Sequence, residues 1–254
     1  MKKYGLIGYP LGHSFSAKFF AEKFAKEGLN ARYDNYEMAS VEGLRALIAA
    51  DAELCGLNVT IPHKQAVIPL LDDLTPEARA IGAVNVIRIL RDADGTLRLI
   101  GCNSDIIGFT DSIRPLLQPH HTRALVLGTG GASKAIVAGL RSLGIEPTYV
   151  SRHPIEGGLT YDDLTPEVMT AHTVIVNCSP VGMHPHTDEA PAIPYELLTP
   201  RHLLYDLVYN PLDTRFMQLG REHGAVVKNG LEMLHLQAVA AWEMWSPTPY
   251  TDNA

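Results

Sequence analysis

The chain has 254 residues, 46% of them hydrophobic and 19% charged, enough to bury one large core or two moderate ones. A net charge of −7 and the lack of any Lys/Arg-rich run argue against nucleic acid as a partner. Met1-Lys2-Lys3 leads only into a short strand, and no stretch reaches the roughly 18 apolar residues of a membrane span, so a soluble cytoplasmic protein without a membrane partner is expected.

Apolar periodicity predicts a strand over 4–8, a helix over 14–27 closed by Gly28, a strand over 32–38 and a helix over 41–50. A buried strand over 54–59 follows, and Pro62 sits where a helix can begin, because a first-turn proline forfeits no hydrogen bond. Thr75-Pro76-Glu77 is a second cap-and-proline helix start. Strands over 83–90 and 96–102 flank Asp92-Ala93-Asp94-Gly95, a hairpin turn. Asp105 caps a helix to about 117. After the polar break at 118–122 come a strand over 124–127, a helix over 133–143 stopped by Gly144, and strands over 147–150, 173–177, 203–207 and 225–228 with helices between them. A last helix covers 231–245, and the tail beyond Pro247 is expected to be loose. Strands alternating with helices on both sides of the break predict two α/β domains with mostly parallel sheets.

The most informative stretch is Asn58-Val59-Thr60-Ile61-Pro62-His63-Lys64. If a helix starts at Pro62, Lys64 lies in its first turn and faces the positive end of the helix dipole, which lowers an ammonium's affinity for its proton. Asn58 and Thr60 add neutral donors and acceptors at the strand end. A lone lysine here is more often an ordinary surface residue, so the case depends on its company. Ser14 and Ser16 follow the first strand, Asn85 lies in Gly82-Ala83-Val84-Asn85, and Asp105 ends Asn103-Ser104-Asp105. Strand C-termini are where open α/β sheets bind ligands. Taken singly, each has a plainer role as a cap or a turn residue.

Gly128-Thr129-Gly130-Gly131-Ala132-Ser133 follows an apolar strand and opens a helix, the context of a dinucleotide loop. Gly128 allows the tight turn, Gly130 the approach of a pyrophosphate, and Ser133 close helix–strand packing. The next strand ends Tyr149-Val150-Ser151-Arg152-His153, without the acid that holds the ribose hydroxyls of NAD. An arginine and a hydroxyl, Arg152 and Ser151, suit a 2′-phosphate, so NADP is the expected cofactor. Cys55, Cys102 and Cys178 are far apart, with no C-x-x-C pair, and are expected as buried reduced thiols. The eleven histidines show no metal-binding spacing, and no metal is expected.

Together these motifs resemble the NADP-dependent shikimate dehydrogenase family, from Gly8-Tyr9-Pro10-Leu11-Gly12-His13-Ser14 to the last helix. Asn58 to Lys64, Gly82 to Asn85 and Gly128 to Ser133 carry the likeness. Asn177-Cys178-Ser179-Pro180-Val181-Gly182-Met183, Asp206-Leu207-Val208-Tyr209-Asn210-Pro211 and Gln237-Ala238 add to it. Asn103-Ser104-Asp105 departs slightly, with serine where threonine is usual, and Ser151-Arg152-His153 departs more. The resemblance implies an N-terminal α/β substrate domain over 1–105, with the helix from 236–254 packing back on it, and a Rossmann-type NADP-binding domain over 106–235. It implies reversible reduction of 3-dehydroshikimate to shikimate, by a monomer or homodimer. Ser14, Ser16, Asn58, Thr60, Lys64, Asn85, Asp105, Tyr209 and Gln237 would line the substrate pocket. Gly128, Gly130, Gly131, Ala132, Ser151 and Arg152 would hold the cofactor, with Gly230 and Met233 near its nicotinamide. Lys64 would supply the proton, with Asp105 fixing the ammonium and a substrate hydroxyl. Three other readings stay open, one of them a folate-linked dehydrogenase of similar domain arrangement, which the paired Ser14 and Ser16 disfavour. A quinate/shikimate dehydrogenase tends to have threonine for Ser16 and an acid near Arg152, and a catalytically silent NADP-sensing homologue has no need of Lys64 and Asp105.

Overall fold

Twelve strands fall into two separate six-stranded sheets in the computed structural model, which describes residues 1–12 and 15–246. The chain divides into two units, Met1–Ser104 with the described residues from Ala238 on, and Asp105–Gln237.

The first unit contains β1 (Lys2–Gly8), α1 (Phe15–Lys26), β2 (Ala31–Glu37), α2 (Leu44–Ala50), β3 (Leu54–Val59), β4 (Asp73–Leu74), α3 (Pro76–Ile81), β5 (Val86–Arg91) and β6 (Leu97–Cys102). Its sheet order is β2-β1-β3-β5-β6-β4. β1 runs parallel to β2 and β3, and β4 parallel to β6, whereas β5 is antiparallel to both β3 and β6, so this sheet is mostly parallel, as expected, with β5 alone reversed. The cause is local. A tight turn closed by Asp92 N–H to the Thr96 carbonyl joins β5 to β6, and so short a link serves only antiparallel neighbours. Thr75 caps α3 through the Ala78 N–H, with Pro76 in the first turn and Gly82 left-handed at the end, as the residues predict.

The second unit contains α4 (Asp105–Ile113), β7 (Arg123–Leu127), α5 (Gly131–Ser142), β8 (Glu146–Ser151), β9 (Leu159–Thr160), α6 (Pro166–Ala171), β10 (Val174–Asn177), β11 (Leu203–Asp206), α7 (Arg215–Glu222) and β12 (Val226–Lys228). The last helix, α8 (Leu231–Trp245), begins here, and its residues from Ala238 on belong to the first unit. All strand pairs are parallel, in the order β12-β11-β10-β7-β8-β9. α4 ends at Ile113, short of the expected 117, and Arg114–Leu116 tightens to a 3-10 turn where Pro115 lacks the N–H to continue it.

Each sheet is covered on both faces. Ile7, Leu57, Ile87 and Leu99 pack on Leu44 and Ile48 of α2, while Tyr4 and Val86 pack on Phe20 and Phe24 of α1 and Trp245 of α8. In the second unit Val126, Val174 and Leu203 meet Ile136 and Leu140 of α5, and Leu125, Ile175 and Leu204 meet Met169 and Phe216. Each such side chain contributes about 1.5–3 kcal/mol on burial. That double cover explains why the strands of the second sheet read as continuous apolar runs.

The helix expected from Pro62 is not formed. His63 to Val67 makes one α-type bond, Val67 N–H to the His63 carbonyl, and the chain then passes into a 3-10 turn at Ile68–Leu70. Pro69 has no N–H to offer the Gln65 carbonyl, so the segment cannot propagate beyond a turn. Lys64 therefore lies in a turn, without a helix dipole behind it. Of the three free cysteines only Cys102 is buried; Cys55 and Cys178 are half-buried. Among the described residues, no helix is long and apolar enough to cross a membrane.

Candidate active site

The first sheet has a topological switch point between β1 and β3, because the chain leaves β1 towards β2 and returns through α2 to β3 on the other side. The loops after β1 and β3 meet there. Thr60 N–H bonds the Ile7 carbonyl, and Tyr9 N–H bonds the Ile61 carbonyl at 3.0 Å. Ser16, in the first turn of α1, and half-buried Thr60 and Lys64 belong to these loops, whereas Ser14 lies outside the described residues.

The antiparallel β5 then contributes its start rather than its end. Asn58 pairs with Val86, and Val86 with Cys102, so the end of β3, the start of β5 and the end of β6 lie in one row. Asn58 and Asn85 are 6% and 3% exposed, and both amides are bonded. Asn58 Nδ2 donates to the Asn85 carbonyl at 3.3 Å. Asn85 Nδ2 donates to Ser104 Oγ at 3.0 Å, and its Oδ1 accepts the Ser104 N–H at 2.7 Å. Ser104 leads straight into Asp105, the buried first residue of α4. Lys64 is tied to the same row through its backbone, its carbonyl accepting Val84 N–H at 2.7 Å. Buried His63 precedes it and faces the Met38 carbonyl at 2.6 Å. A carbonyl only accepts, so Nε2 carries the proton. His63 and Ser104 escaped sequence reasoning as separate elements of the site, since neither has a local signature beyond its motif.

In the second unit the switch point falls between β7 and β10. Gly128 follows β7 with φ +104°, a conformation that side chains rarely adopt, and Gly130 precedes α5 in an extended conformation. A Cβ at Gly130 would meet nothing within 4 Å, which leaves open space over the α5 N-terminus. Half-buried Gly131 and Ala132 form the first turn, and fully buried Ser133 returns its hydroxyl to the Gly130 carbonyl at 2.7 Å. The loop thus presents N–H groups and the dipole to an open space, a fit for a pyrophosphate. Ser151 ends β8 and its hydroxyl accepts the His153 N–H. Arg152 is exposed and lines a cleft of about 520 Å³ with Tyr161, Asp162 and Glu189. The two carboxylates come from distant parts of the chain, and no sequence signal placed them beside Arg152.

The ends of β10 and β11 carry a buried network. Asn177 Nδ2 donates to Asp206 Oδ1 at 2.9 Å, while the Asn177 carboxamide oxygen takes the Ser179 hydroxyl at 2.6 Å. Burial pushes the Asp206 carboxyl up to about 6 against the pull of its hydrogen bonds. The strand end leads to Tyr209, 38% exposed. Gly230 is buried, and a Cβ there would overlap the Leu207 carbonyl oxygen. Met233 is buried in the same unit's core, and Gln237 on α8 donates its Nε2 to the Leu234 carbonyl. A Cβ on Gly108 of α4 would lie 2.6 Å from the Met233 carbonyl oxygen and 3.0 Å from Gln237 Cβ, so α4 and α8 pack here at backbone distance.

Residues 6–87 match the family model described as shikimate dehydrogenase substrate binding domain. NADP(+)-dependent shikimate dehydrogenases from a Nostoc species and from Symbiobacterium thermophilum are 37% and 36% identical. The alignments cover 96% of this chain and 90% of the first relative, and 95% and 87% for the second. The crystal structure of shikimate 5-dehydrogenase from Thermus thermophilus in complex with NADP(H) and shikimate superposes with a TM-score of 0.84 at 30% identity, over 98% of this chain and 94% of that one. A chorismate mutase/shikimate 5-dehydrogenase fusion protein from Clostridium acetobutylicum gives 0.85 at 32% identity, over 99% and 93%.

Proposed function

We propose that Lys64 and Asp105 carry the proton chemistry of this chain, which belongs to the shikimate dehydrogenase family. It is an NADP-dependent oxidoreductase that reduces 3-dehydroshikimate to shikimate, a step of aromatic amino-acid biosynthesis. NADPH, when bound, supplies the hydride.

The observation that carries the residue assignment is the bonded row Asn58–Asn85–Ser104 at the β1/β3 switch point. It fixes two amides of a kind that suits ring hydroxyls, and it anchors the backbone on which Lys64 and Asp105 stand. As hydride reaches the ring ketone, its oxygen gains negative charge. Lys64 gives that oxygen a proton, a contribution typically of about 10² to 10⁴ in rate. Asp105 accepts from the lysine ammonium and from a substrate hydroxyl. Ser14 and Ser16 bind the substrate carboxylate, and Thr60, Tyr209 and Gln237 complete the polar lining. Gly128, Gly130, Gly131 and Ala132 hold the pyrophosphate, Ser151 and Arg152 the 2′-phosphate, and Gly230 and Met233 border the nicotinamide. In this reading residues 1–105, with the helix from 236 on, bind substrate, and 106–235 bind NADP. The protein acts in the cytoplasm as a monomer or homodimer, without nucleic acid.

The test is an absorbance assay with shikimate against quinate, each with NADP and with NAD. Shikimate with NADP is expected to be the fastest pair. Faster turnover of quinate, or turnover of neither, would overturn the reading.

A further inference from the structure

Tyr33 lies on β2 and Asn58 on β3, with β1 between them, yet their side chains meet. The register pairs Tyr4 with Tyr33 and Leu6 with Asn58, and successive residues alternate faces. Both side chains therefore stand on one face of the sheet. The Tyr33 hydroxyl donates to Asn58 Oδ1 at 2.8 Å. A phenol has a single proton. That proton goes to the Asn58 amide oxygen. The ring is also fixed. It stacks on Phe20 at 4.7 Å and 13°, and its centroid lies 6.4 Å from that of Trp245.

We infer that Tyr33 is a positioning residue for the substrate, its hydroxyl deciding which way the Asn58 amide faces. The inference rests on the reading that Asn58 binds shikimate. An amide offers either an acceptor or a donor to a ligand, depending on its flip. Donation from Tyr33 commits Oδ1, and donation to the Asn85 carbonyl commits one Nδ2 proton. The second Nδ2 proton is left as the donor for a substrate hydroxyl. Desolvation pushes the Tyr33 phenol well above its usual range, so it stays a donor at any working pH.

Tyr33→Phe removes only the hydroxyl and keeps the stacked ring. The expected result is a rise of about five- to tenfold in KM for shikimate, with kcat changed less than about twofold and KM for NADP unchanged. In an Asn58→Ala background the same substitution should change KM less than about twofold, because its route is through that amide. An unchanged KM for shikimate overturns the inference. So does an equal rise in KM for NADP, or an effect of full size in the Asn58→Ala background. The wild-type protein is assayed first. If it is inactive on shikimate, the underlying reading fails and this inference fails with it, whereas an active wild type with an unaltered Tyr33→Phe variant sinks the inference alone.

Discussion

The Thr214 hydroxyl donates to Asp206 Oδ2 at 2.6 Å, in a site where neither residue has any solvent exposure. The other carboxylate oxygen takes Asn177 Nδ2 and, at 3.0 Å, the Val208 N–H. Thr214 in turn caps α7 by accepting from Met217 N–H. One buried charge thus ties together the ends of β10 and β11, the segment leading to Tyr209, and the start of α7.

That charge has a consequence for stability against pH. Asp206 is pushed from its ordinary 3.8 up to about 6 by burial. A carboxyl raised in the folded state adds stability that is fully present below its unfolded pKa and is lost as pH rises through the folded one. Asp206→Asn has no such titration. The stability of the wild type relative to Asp206→Asn, from urea unfolding at a series of pH values, should fall by roughly 1–3 kcal/mol between about pH 4 and pH 7. A flat or rising difference would show that the fold does not raise this carboxyl.

In the proposed reading cofactor choice turns on Arg152, and the cleft it shares with Asp162 and Glu189 refines the expectation. Arg152→Ala should weaken NADP binding by about 1.5–3 kcal/mol, the worth of a hydrogen bond to a charged group, and leave NAD nearly unchanged. Glu189→Gln should strengthen NADP modestly, because a nearby carboxylate repels a 2′-phosphate. Titration of both cofactors into both variants decides it. Equal losses for NADP and NAD in Arg152→Ala would remove Arg152 from the 2′-phosphate site.

Lys64→Ala should lower kcat by about 10² to 10⁴ with a far smaller change in substrate affinity. Asp105→Asn keeps the shape and the capping ability at the start of α4, so the fold should survive while kcat/KM for shikimate drops sharply and NADP still binds. In the double mutant the two losses should be far from additive, as the proposed dyad requires. Additive losses, or full activity in Asp105→Asn, would end the dyad.

Gly108→Ala places a methyl where the Met233 carbonyl oxygen and Gln237 Cβ now lie, and backbone cannot step aside cheaply. Overpacking of this kind costs about 1–3 kcal/mol. A lower thermal midpoint and a higher KM for shikimate are expected together, because α8 carries Gln237. A variant as stable as the wild type would mean the helices separate without penalty.

The sequence by itself determined what depends on neighbours along the chain. Thr75-Pro76 starts a helix, Gly82 ends it, the turn before Thr96 reverses the chain, and Gly128 to Ser133 turns the chain from β7 into α5. These are matters of dihedral preference and capping, which a few residues settle. The polar positions Asn58, Asn85 and Asp105 were legible as a set through their motifs, but their connection was not. Only the tertiary structure decided that β5 runs antiparallel beside β3 and so brings Asn85 next to Asn58, and that Tyr33 reaches that amide across β1. It also decided that Asp162 and Glu189 share a cleft with Arg152. The turn at Lys64 marks the boundary between the two. Pro62 permits a helix start, yet Pro69 and the bond from Val84 N–H to the Lys64 carbonyl leave only a turn. Pairing between distant strands is chosen by which apolar faces can close over one core, and no local pattern carries that choice.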